Sequence, residues 1–324
     1  MPTLDYSIVD VFTREPLKGN PLAVVMNTCG LGTEQMQRIA REFNLSETTF
    51  VERRAEAIER AEGVRVRIFT TQEELQFAGH PTLGTASVLK MLASETLRGD
   101  TVTLAENVGP IPVRFEDRDG EDGGAAAGLA PALFAEMTQR DAEFGAELDR
   151  AEVARLAGLN ADDVDAALTP QVVSTGTPFA IVVLRSVEAL GRLKVNHDAA
   201  TEWLRERGAR WFYFLAPALN QNQENIARAT DAEQSQKKTK CWRARMQFYG
   251  AEDPATGSAA GCAIAYLVAR GAVPEATRVH VQQGVEMGRP SDLFLSARKE
   301  SARVTDVRVA GSTVLVANGR LFLP

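Results

Sequence analysis

The chain has 324 residues, 44% of them hydrophobic and 24% charged, which is the composition of an ordinary globular protein with room for two domains of about 150 residues each. The net charge is −7, and the basic surface of a nucleic-acid-binding protein is missing, so we expect a small-molecule partner. No apolar run approaches the roughly 20 residues of a membrane span, and the N-terminus has no charged and apolar leader. We therefore expect a cytoplasmic protein with no membrane contact.

The three cysteines give no sign of a disulfide framework or a metal site. Cys29, Cys241 and Cys262 are scattered along the chain, and none belongs to a CxxC pair or a His-rich segment. We expect reduced thiols and no bound metal.

The N-terminal segment predicts two strands followed by a helix. Residues 4–12 and 21–26 have the composition of strands and flank a turn at residues 16–20. Residues 34–43 place apolar side chains at helical spacing, with Thr33 as a plausible N-cap.

Glu47 lies where the next predicted strand, residues 46–51, begins. A carboxylate at such a position is more often an exposed surface group than a functional one. A catalytic role for Glu47 depends on the residues that surround it.

A second predicted helix starts in a segment of small residues. Strands are predicted at residues 64–69 and 74–77, and the helix then begins near Gly79 and His80 and extends to residue 93. Pro81 fits the helix start, where a missing N–H costs nothing.

The helix predicted over residues 258–268 carries no charge, so it has no face for water and must be buried on every side. Unpaired N–H groups and the helix dipole at its start favour a carboxylate-bearing ligand. The alternative is that Asp253, Thr256 or Ser258 only caps the helix. The small and acidic residues around this start are Glu252, Asp253, Thr256, Gly257 and Ser258.

The two helix starts share one layout. In each, a strand that contains Arg and Phe leads through Gly to a turn with Pro and then to a helix of small residues; the residues concerned are Arg67, Phe69 and Pro81, and Arg245, Phe248 and Pro254. One copy lies in each half of the chain, which indicates two lobes related by an internal duplication.

The rest of the chain predicts mainly strands. A turn-rich connector at residues 117–128, within the stretch 113–148, is a candidate lobe boundary, and residues 220–240 predict a mobile loop or an edge hairpin. Helices are predicted at residues 150–156 and 198–207. Strands are predicted at residues 171–174, 179–184, 211–215, 278–283, 293–297, 304–309, 313–316 and 320–323.

These elements predict an α+β fold of two pseudo-symmetric lobes, each a curled, mostly antiparallel sheet wrapped around a central helix. The N-terminal lobe would span residues 1–118 and the C-terminal lobe residues 119–310. The final strands, residues 311–324, could return to the N-terminal lobe. We expect the active site in the cleft where the two helix starts meet.

Each of the three histidines, His80, His197 and His280, could be purely structural. His80 differs because it begins a helix between Gly and Pro and would face the cleft. His197 and His280 look structural from their surroundings.

Four motifs together resemble the PhzF family of phenazine-biosynthesis-like proteins, a family similar in fold to diaminopimelate epimerase. The resemblance extends over nearly the whole chain, including residues 10–13 and 18–24, but not over the stretches near 117–145 and 218–241. The motifs are Asn44-Leu-Ser-Glu-Thr-Thr-Phe-Val51, Phe77-Ala-Gly-His-Pro-Thr-Leu-Gly84, Glu252-Asp-Pro-Ala-Thr-Gly-Ser-Ala259 and Gln283-Gly-Val-Glu-Met-Gly-Arg-Pro-Ser291.

The resemblance implies an isomerase that needs no cofactor and moves a proton between carbons of a small carboxylate substrate. In the phenazine enzyme that substrate is a dihydro-hydroxyanthranilate. The acid/base glutamate of the family corresponds to Glu47, and its histidine and aspartate correspond to His80 and Asp253. Homodimers are common among proteins that resemble the family, although no stripe of residues in this chain by itself indicates one.

The residue chemistry agrees with this role. A glutamate shielded in a cleft can have its pKa raised until it both accepts and donates protons near neutral pH, and Glu47 is the candidate. His80 and Asp253 would orient polar groups of the substrate or share the proton. The expected substrate-binding residues are Ser46, Gly79, Thr256, Gly257 and Ser258, with N–H groups at the helix starts holding the carboxylate.

Two alternatives remain open. Diaminopimelate epimerase and its racemase relatives use two opposed cysteines, whereas here His80 and Asp253 lie near the helix starts, so an epimerase or racemase would have to use other bases. The second alternative is a non-catalytic member of the family that binds a metabolite or a protein.

Overall fold

The computed structural model describes residues 3–92, 99–116, 132–218, 241–248 and 251–323. Within these residues the fold is mixed α+β. The helices are α1 (Thr33–Phe43), α2 (Glu56–Glu62), α3 (Gly79–Met91), α4 (Arg150–Ala157), α5 (Val187–Gly191), α6 (His197–Glu206) and α7 (Gly257–Ala269).

Strands make up most of the remaining described chain. In the first half they are β1 (Thr3–Val11), β2 (Asn20–Val25), β3 (Glu47–Glu52), β4 (Val64–Phe69), β5 (Glu74–Leu75), β6 (Thr101–Glu106), β7 (Gly109–Glu116), β8 (Leu133–Thr138) and β9 (Glu143–Glu147). In the second half they are β10 (Gln171–Ser174), β11 (Pro178–Val183), β12 (Trp211–Ala218), β13 (Cys241–Arg245), β14 (Gln247–Phe248), β15 (Ala251–Glu252), β16 (Val279–Gln283), β17 (Ser291–Glu300) and β18 (Arg303–Phe322).

One large sheet organises the fold. Its order is β1-β2-β3-β4-β6-β7-β8-β18-β17-β16-β13-β12-β11-β10-β9, with β5 on β4. Because β1 also pairs with β18, the strands from β1 through β8 close with β18 into a ring. Helix α3 packs against strands of that ring, and α7 packs against β10, β11, β17 and β18. The two central helices are therefore both enclosed by sheet.

The sequences of α3 and α7 explain their burial. Every residue of α7 from Gly257 to Val268 is buried, and so is every residue of α3 from Gly79 to Leu89. A helix without a polar stripe has no polar face that must leave water when strands surround it, and small residues allow those strands to approach closely. The prediction that the helix over residues 258–268 is buried on every side is confirmed.

Two matching ion pairs precede the central helices. The Arg67 guanidinium donates from Nε and Nη2 to Glu74 Oε1 and Oε2 at 2.8 and 2.6 Å, and Arg245 makes the same two bonds to Glu252 at 2.8 and 2.6 Å. Such two-point contacts hold a hairpin in one geometry. Each glutamate lies five positions before its helix (74 to 79 and 252 to 257), so the repeat seen in the sequence has a counterpart in these contacts.

The stretch from residue 113 to residue 148 contains strands that the sequence did not predict. They are the end of β7 and all of β8 and β9. Strand β8 pairs with β7 and with β18, and pairing to a strand so far along the chain leaves no local signal. The predicted connector at residues 117–128 lies outside the described residues, and so does the predicted mobile loop at residues 220–240.

The three C-terminal strands predicted between residues 304 and 323 are one continuous strand, β18. The strand continues through Gly311. A glycine is needed at this position because the strand packs closely against Phe12. A Cβ atom at Gly311 would lie 2.3 Å from Cδ1 of Phe12. Beyond Gly311, the strand pairs with β1 through residues 313–322.

The predicted N-cap of α1 is also wrong. Gly32 occupies the cap position, and the Thr33 hydroxyl instead accepts a hydrogen bond from Arg67 Nη2 at 2.8 Å. The Thr33 hydroxyl therefore bonds to Arg67, far along the chain, and does not cap its own helix.

Candidate active site

Three residues predicted from the sequence lie together at the starts of the central helices. Glu47 begins β3, His80 is the second residue of α3, and Asp253 follows β15 shortly before α7. The Glu47 Oε2 and His80 Nε2 atoms are 3.5 Å apart. His80 and Asp253 are linked through one further side chain, that of Asn20.

Asn20 is the residue that connects this cluster. It is fully buried, and its Nδ2 donates to Asp253 Oδ1 at 2.8 Å and to the Ala255 carbonyl at 2.8 Å, and lies 3.2 Å from His80 Nδ1. The amide orientation is fixed, because the reverse would set Oδ1 against a carboxylate and a carbonyl. Sequence reasoning missed Asn20 as a site residue, although it lies within residues 18–24, which contributed to the family resemblance.

The turn before Asn20 is built to hold that side chain in place. Gly19 has a φ of +66°, and a Cβ atom there would lie 2.3 Å from the carbonyl oxygen of Val11, so only glycine fits. Arg289 donates from Nε to the Gly19 carbonyl at 2.8 Å and from Nη2 to Asp10 Oδ1 at 2.7 Å. The turn is thus anchored by a charged contact from the other end of the chain.

His80 is neutral in this environment. It is 3% exposed, and burial lowers the pKa of its imidazole to about 3. Its Nδ1 faces the Asn20 Nδ2 group, which can only donate. The single ring proton therefore resides on Nε2, directed towards Glu47.

Glu47 is a buried acid next to His80 and Asp253. Burial raises the pKa of its carboxyl well above the usual value, and repulsion from the Asp253 carboxylate raises it further. Its side chain retains 13% exposure. Glu47 Oε2 and His80 Nε2 are both buried and have no hydrogen-bond partner among the described residues, so both can still bond to a ligand.

Asp253 is a second buried acid. Burial raises the pKa of its carboxyl to about 6, against the opposing effect of hydrogen bonds from Thr256, Asn20, Ser46 and the Ala255 backbone. The Thr256 hydroxyl donates to Asp253 Oδ2 at 2.6 Å. The two carboxyl groups influence each other, and the repulsion favours the protonated form of Glu47.

Gln283 holds the backbone of Asp253 in place. It was not identified from the sequence as a site residue either. Its Nε2 donates to the Asp253 carbonyl at 2.8 Å, and its Oε1 accepts from the Thr256 N–H at 3.1 Å and from the Tyr213 hydroxyl at 2.9 Å. Burial raises the pKa of Tyr213, so this hydroxyl remains a donor. Gln283 opens the fourth sequence motif, and that position was its only sequence signal.

The two helix starts are in direct contact. A Cβ atom on Gly79 would lie 2.7 Å from the backbone carbonyl carbon of Gly257 and 2.7 Å from the backbone nitrogen of Ser258. Both positive helix ends therefore face the same small region, which favours an anion. Thr256 is the N-cap residue of α7 but makes no side-chain cap hydrogen bond, so the capping interpretation is wrong for Thr256.

Comparisons with known proteins show the family to which this chain belongs. A family model described as phenazine biosynthesis-like protein matches residues 9–319. The chain belongs to this family. It is 35% identical over 330 residues to an uncharacterized isomerase from Mesorhizobium japonicum, with all of both chains covered. It is 36% identical to trans-2,3-dihydro-3-hydroxyanthranilate isomerase from Pseudomonas aeruginosa, covering 98% of this chain and 99% of that one.

A solved structure extends the similarity to the fold. A protein described as a predicted epimerase from Pseudomonas aeruginosa superposes with a TM-score of 0.76 at 32% identity, covering 99% of this chain and all of the other. The protein is accordingly an enzyme of the isomerase class, as its family members are named.

In the described parts of the chain, no helix has both the length and the hydropathy needed to cross a membrane. The same residues contain no cluster of three or more His, Cys, Asp or Glu side chains that could hold a metal ion.

Proposed function

We propose that this isomerase moves a proton between two carbons of a small carboxylate substrate, with Glu47 as the acid and base and without a cofactor. The observation that carries the proposal is the group of Glu47, His80 and Asp253 at the two helix starts, where burial and repulsion from Asp253 raise the pKa of Glu47 well above its usual value. We propose also that the site lies between two pseudo-symmetric lobes, residues 1–118 and 119–310, with residues 311–324 returning to the first. The matched pairs Arg67–Glu74 and Arg245–Glu252 support that symmetry. Strand β8 is an exception, because it pairs with β7 and β18 and so joins the sheet around α3.

In this proposal Glu47 closes a proton cycle by itself. The Glu47 carboxyl gives its proton to one carbon, and the resulting carboxylate removes a proton from the second carbon, which restores the starting state. His80 donates from Nε2 to a polar oxygen or nitrogen of the substrate, and the ionised Asp253 keeps Glu47 protonated at rest. Between turnovers the Glu47 carboxyl exchanges its proton with water, so deuterium from heavy water enters the product.

The substrate carboxylate would bind at the abutting helix starts. The N–H groups near Gly79 and Gly257 point to where two positive helix ends meet. Ser258, which is 8% exposed, would supply a hydroxyl group directly. Ser46 and Thr256 already form hydrogen bonds to Asp253 and would act on the substrate through that carboxylate. The dihydro-hydroxyanthranilate named for one relative is one member of the proposed class of small carboxylates.

A mechanism with two thiols has no support among the residues at the helix starts. Cys262 lies within α7, where burial raises the pKa of its thiol to about 11. Its Sγ donates to the Thr177 carbonyl. An epimerase or racemase activity would therefore also use Glu47.

The test is deuterium uptake in heavy water, measured by mass spectrometry over a panel of cyclic and linear carboxylates. Glu47→Gln is expected to lower the exchange rate of any active substrate by about 10²–10⁴-fold, because the amide cannot transfer the proton. Glu52→Gln, at the other end of β3, is the matched control and should keep full activity. Full activity in the Glu47 variant would remove that residue from the mechanism.

A further inference from the structure

A second ionisable cluster lies outside the active site, on three adjacent strands. The Cys241 Sγ atom on β13 is 3.3 Å from His280 Nδ1 on β16, and His280 Nε2 is 2.7 Å from Asp292 Oδ1 on β17. The neighbours Val279 and Val281 point to the opposite face of the sheet, into the core.

Strand register creates this alignment. Cys241 is directly opposite His280 in the parallel pairing of β13 with β16. The His280 ring stacks on Phe294, with centroids 5.2 Å apart and an 18° angle between planes. The ring is thus fixed by stacking and by contacts at both nitrogens, the arrangement in which a histidine activates a thiol.

The charges around His280 favour its protonated form. Burial disfavours the imidazolium, but the contacts to Asp292 and Cys241 outweigh it and raise the pKa of His280 to about 9. Other charges on this face belong to Arg243, which pairs with Glu286 at 2.6 Å, and to Arg278, which pairs with Glu116 at 2.8 Å and with Glu136 at 3.0 Å. In the protonated ring, Nε2–H donates to Asp292 and Nδ1–H to the sulfur.

The other two cysteines lack such a partner. Cys262 is fully buried, and burial raises the pKa of its thiol to about 11. The exposed Cys29 donates to the neutral carbonyl of Arg53 at 3.0 Å. Cys241 is 5% exposed and the His280 side chain 21%, so the pair lies just below the surface.

We propose that Cys241, with His280 and Asp292, is a modification site whose sulfur reacts with small hydroperoxides. The sulfur attacks the terminal peroxide oxygen, an S–O bond forms and the O–O bond breaks. Sulfur is oxidised by two electrons to a sulfenic acid. The leaving oxygen takes the Nδ1 proton of His280 and departs as water or an alcohol. This inference is independent of the proposed isomerase mechanism.

The test uses the full-length protein with hydrogen peroxide, dimedone to trap sulfenic acid, and peptide mass spectrometry of all three cysteines at pH 7. An ordinary thiol is only about 3% thiolate at that pH. An ion-paired thiolate, allowing for its lower intrinsic nucleophilicity, should react about tenfold faster. Cys241 is therefore expected to be labelled about tenfold faster than Cys29, with Cys262 unreactive.

Two variants separate the roles within the cluster. His280→Gln should reduce the labelling of Cys241 to the rate of Cys29 or lower, and Asp292→Asn should reduce it partly. The matched control is His197→Gln, at the start of α6, which should leave the rate unchanged. The proposal is overturned if wild-type Cys241 reacts no faster than Cys29, or if the rate is the same in a folded His280→Gln protein.

Discussion

Burial raises the pKa of the Glu47 carboxyl well above its usual value, and repulsion from Asp253 raises it further. Burial also raises the pKa of Asp253, to about 6. His80 stays neutral beside them, since burial lowers its pKa to about 3. The surroundings of each residue therefore determine which group can give a proton and which one carries charge.

This assignment predicts a loss of activity at high pH. The exchange rate should fall along an alkaline limb as Glu47 loses its proton. In Asp253→Asn the repulsion disappears, so the alkaline limb should move to lower pH. The measurement is kcat/KM for deuterium exchange against pH, and an unmoved alkaline limb in this variant would contradict the coupling.

Asn20 is predicted to act as a positioning residue, through His80. Asn20→Leu keeps the approximate volume but removes the donor that faces His80 Nδ1, so the ring should lose its strict preference for the Nε2–H tautomer. Nitrogen NMR of protein with labelled histidine reports the tautomer directly, with His197 and His280 as internal references. A wild-type ring protonated on Nδ1 would refute the assignment.

At the scale of elements, the contact between α3 and α7 determines the shape of the site. Two helix starts can meet this closely only because both residues at the contact, Gly79 and Gly257, lack a Cβ atom. The hairpins fixed by Arg67–Glu74 and Arg245–Glu252 deliver the chain to these starts. The anion-binding region is thus a product of packing between two elements.

Gly79→Ala should disrupt that contact. The added methyl group would lie 2.7 Å from rigid backbone atoms of α7, so the helices must separate, at a cost of about 1–3 kcal/mol. We expect a lower free energy of unfolding in urea and at least a comparable loss in substrate binding. Gly191→Ala in α5, where a Cβ atom meets nothing within 4 Å, is the control and should leave both unchanged.

At the scale of the whole molecule, the stability of the fold depends on pH through acids buried in the neutral form. Glu106, on β6, accepts a hydrogen bond from Thr82 Oγ1 at 2.6 Å, and burial raises the pKa of its carboxyl to about 8. The unfolded chain ionises this group from about pH 4.5 upward, but the folded chain does so only near pH 8. Stability is therefore lost as pH rises through this range, by about 1.4 kcal/mol per pH unit for this group.

Glu106→Gln should remove this loss. We expect the variant to have a higher Tm than the wild type at pH 8 and nearly the same Tm at pH 5, measured by calorimetry. The reverse order at pH 8 would mean that Glu106 is charged in the folded protein.

The sequence by itself determined the α+β class, both central helices and the group Glu47, His80 and Asp253, because apolar runs, glycines and motifs are local features. The contacts of Asn20 and Gln283 were decided only by tertiary structure. Asn20 meets His80 across 60 positions and Asp253 across 233, so no neighbouring residue signals them. Strands β8 and β9 and the unbroken β18 were missed for the same reason, since a strand is stabilised by its partner, and these partners lie far away in the chain.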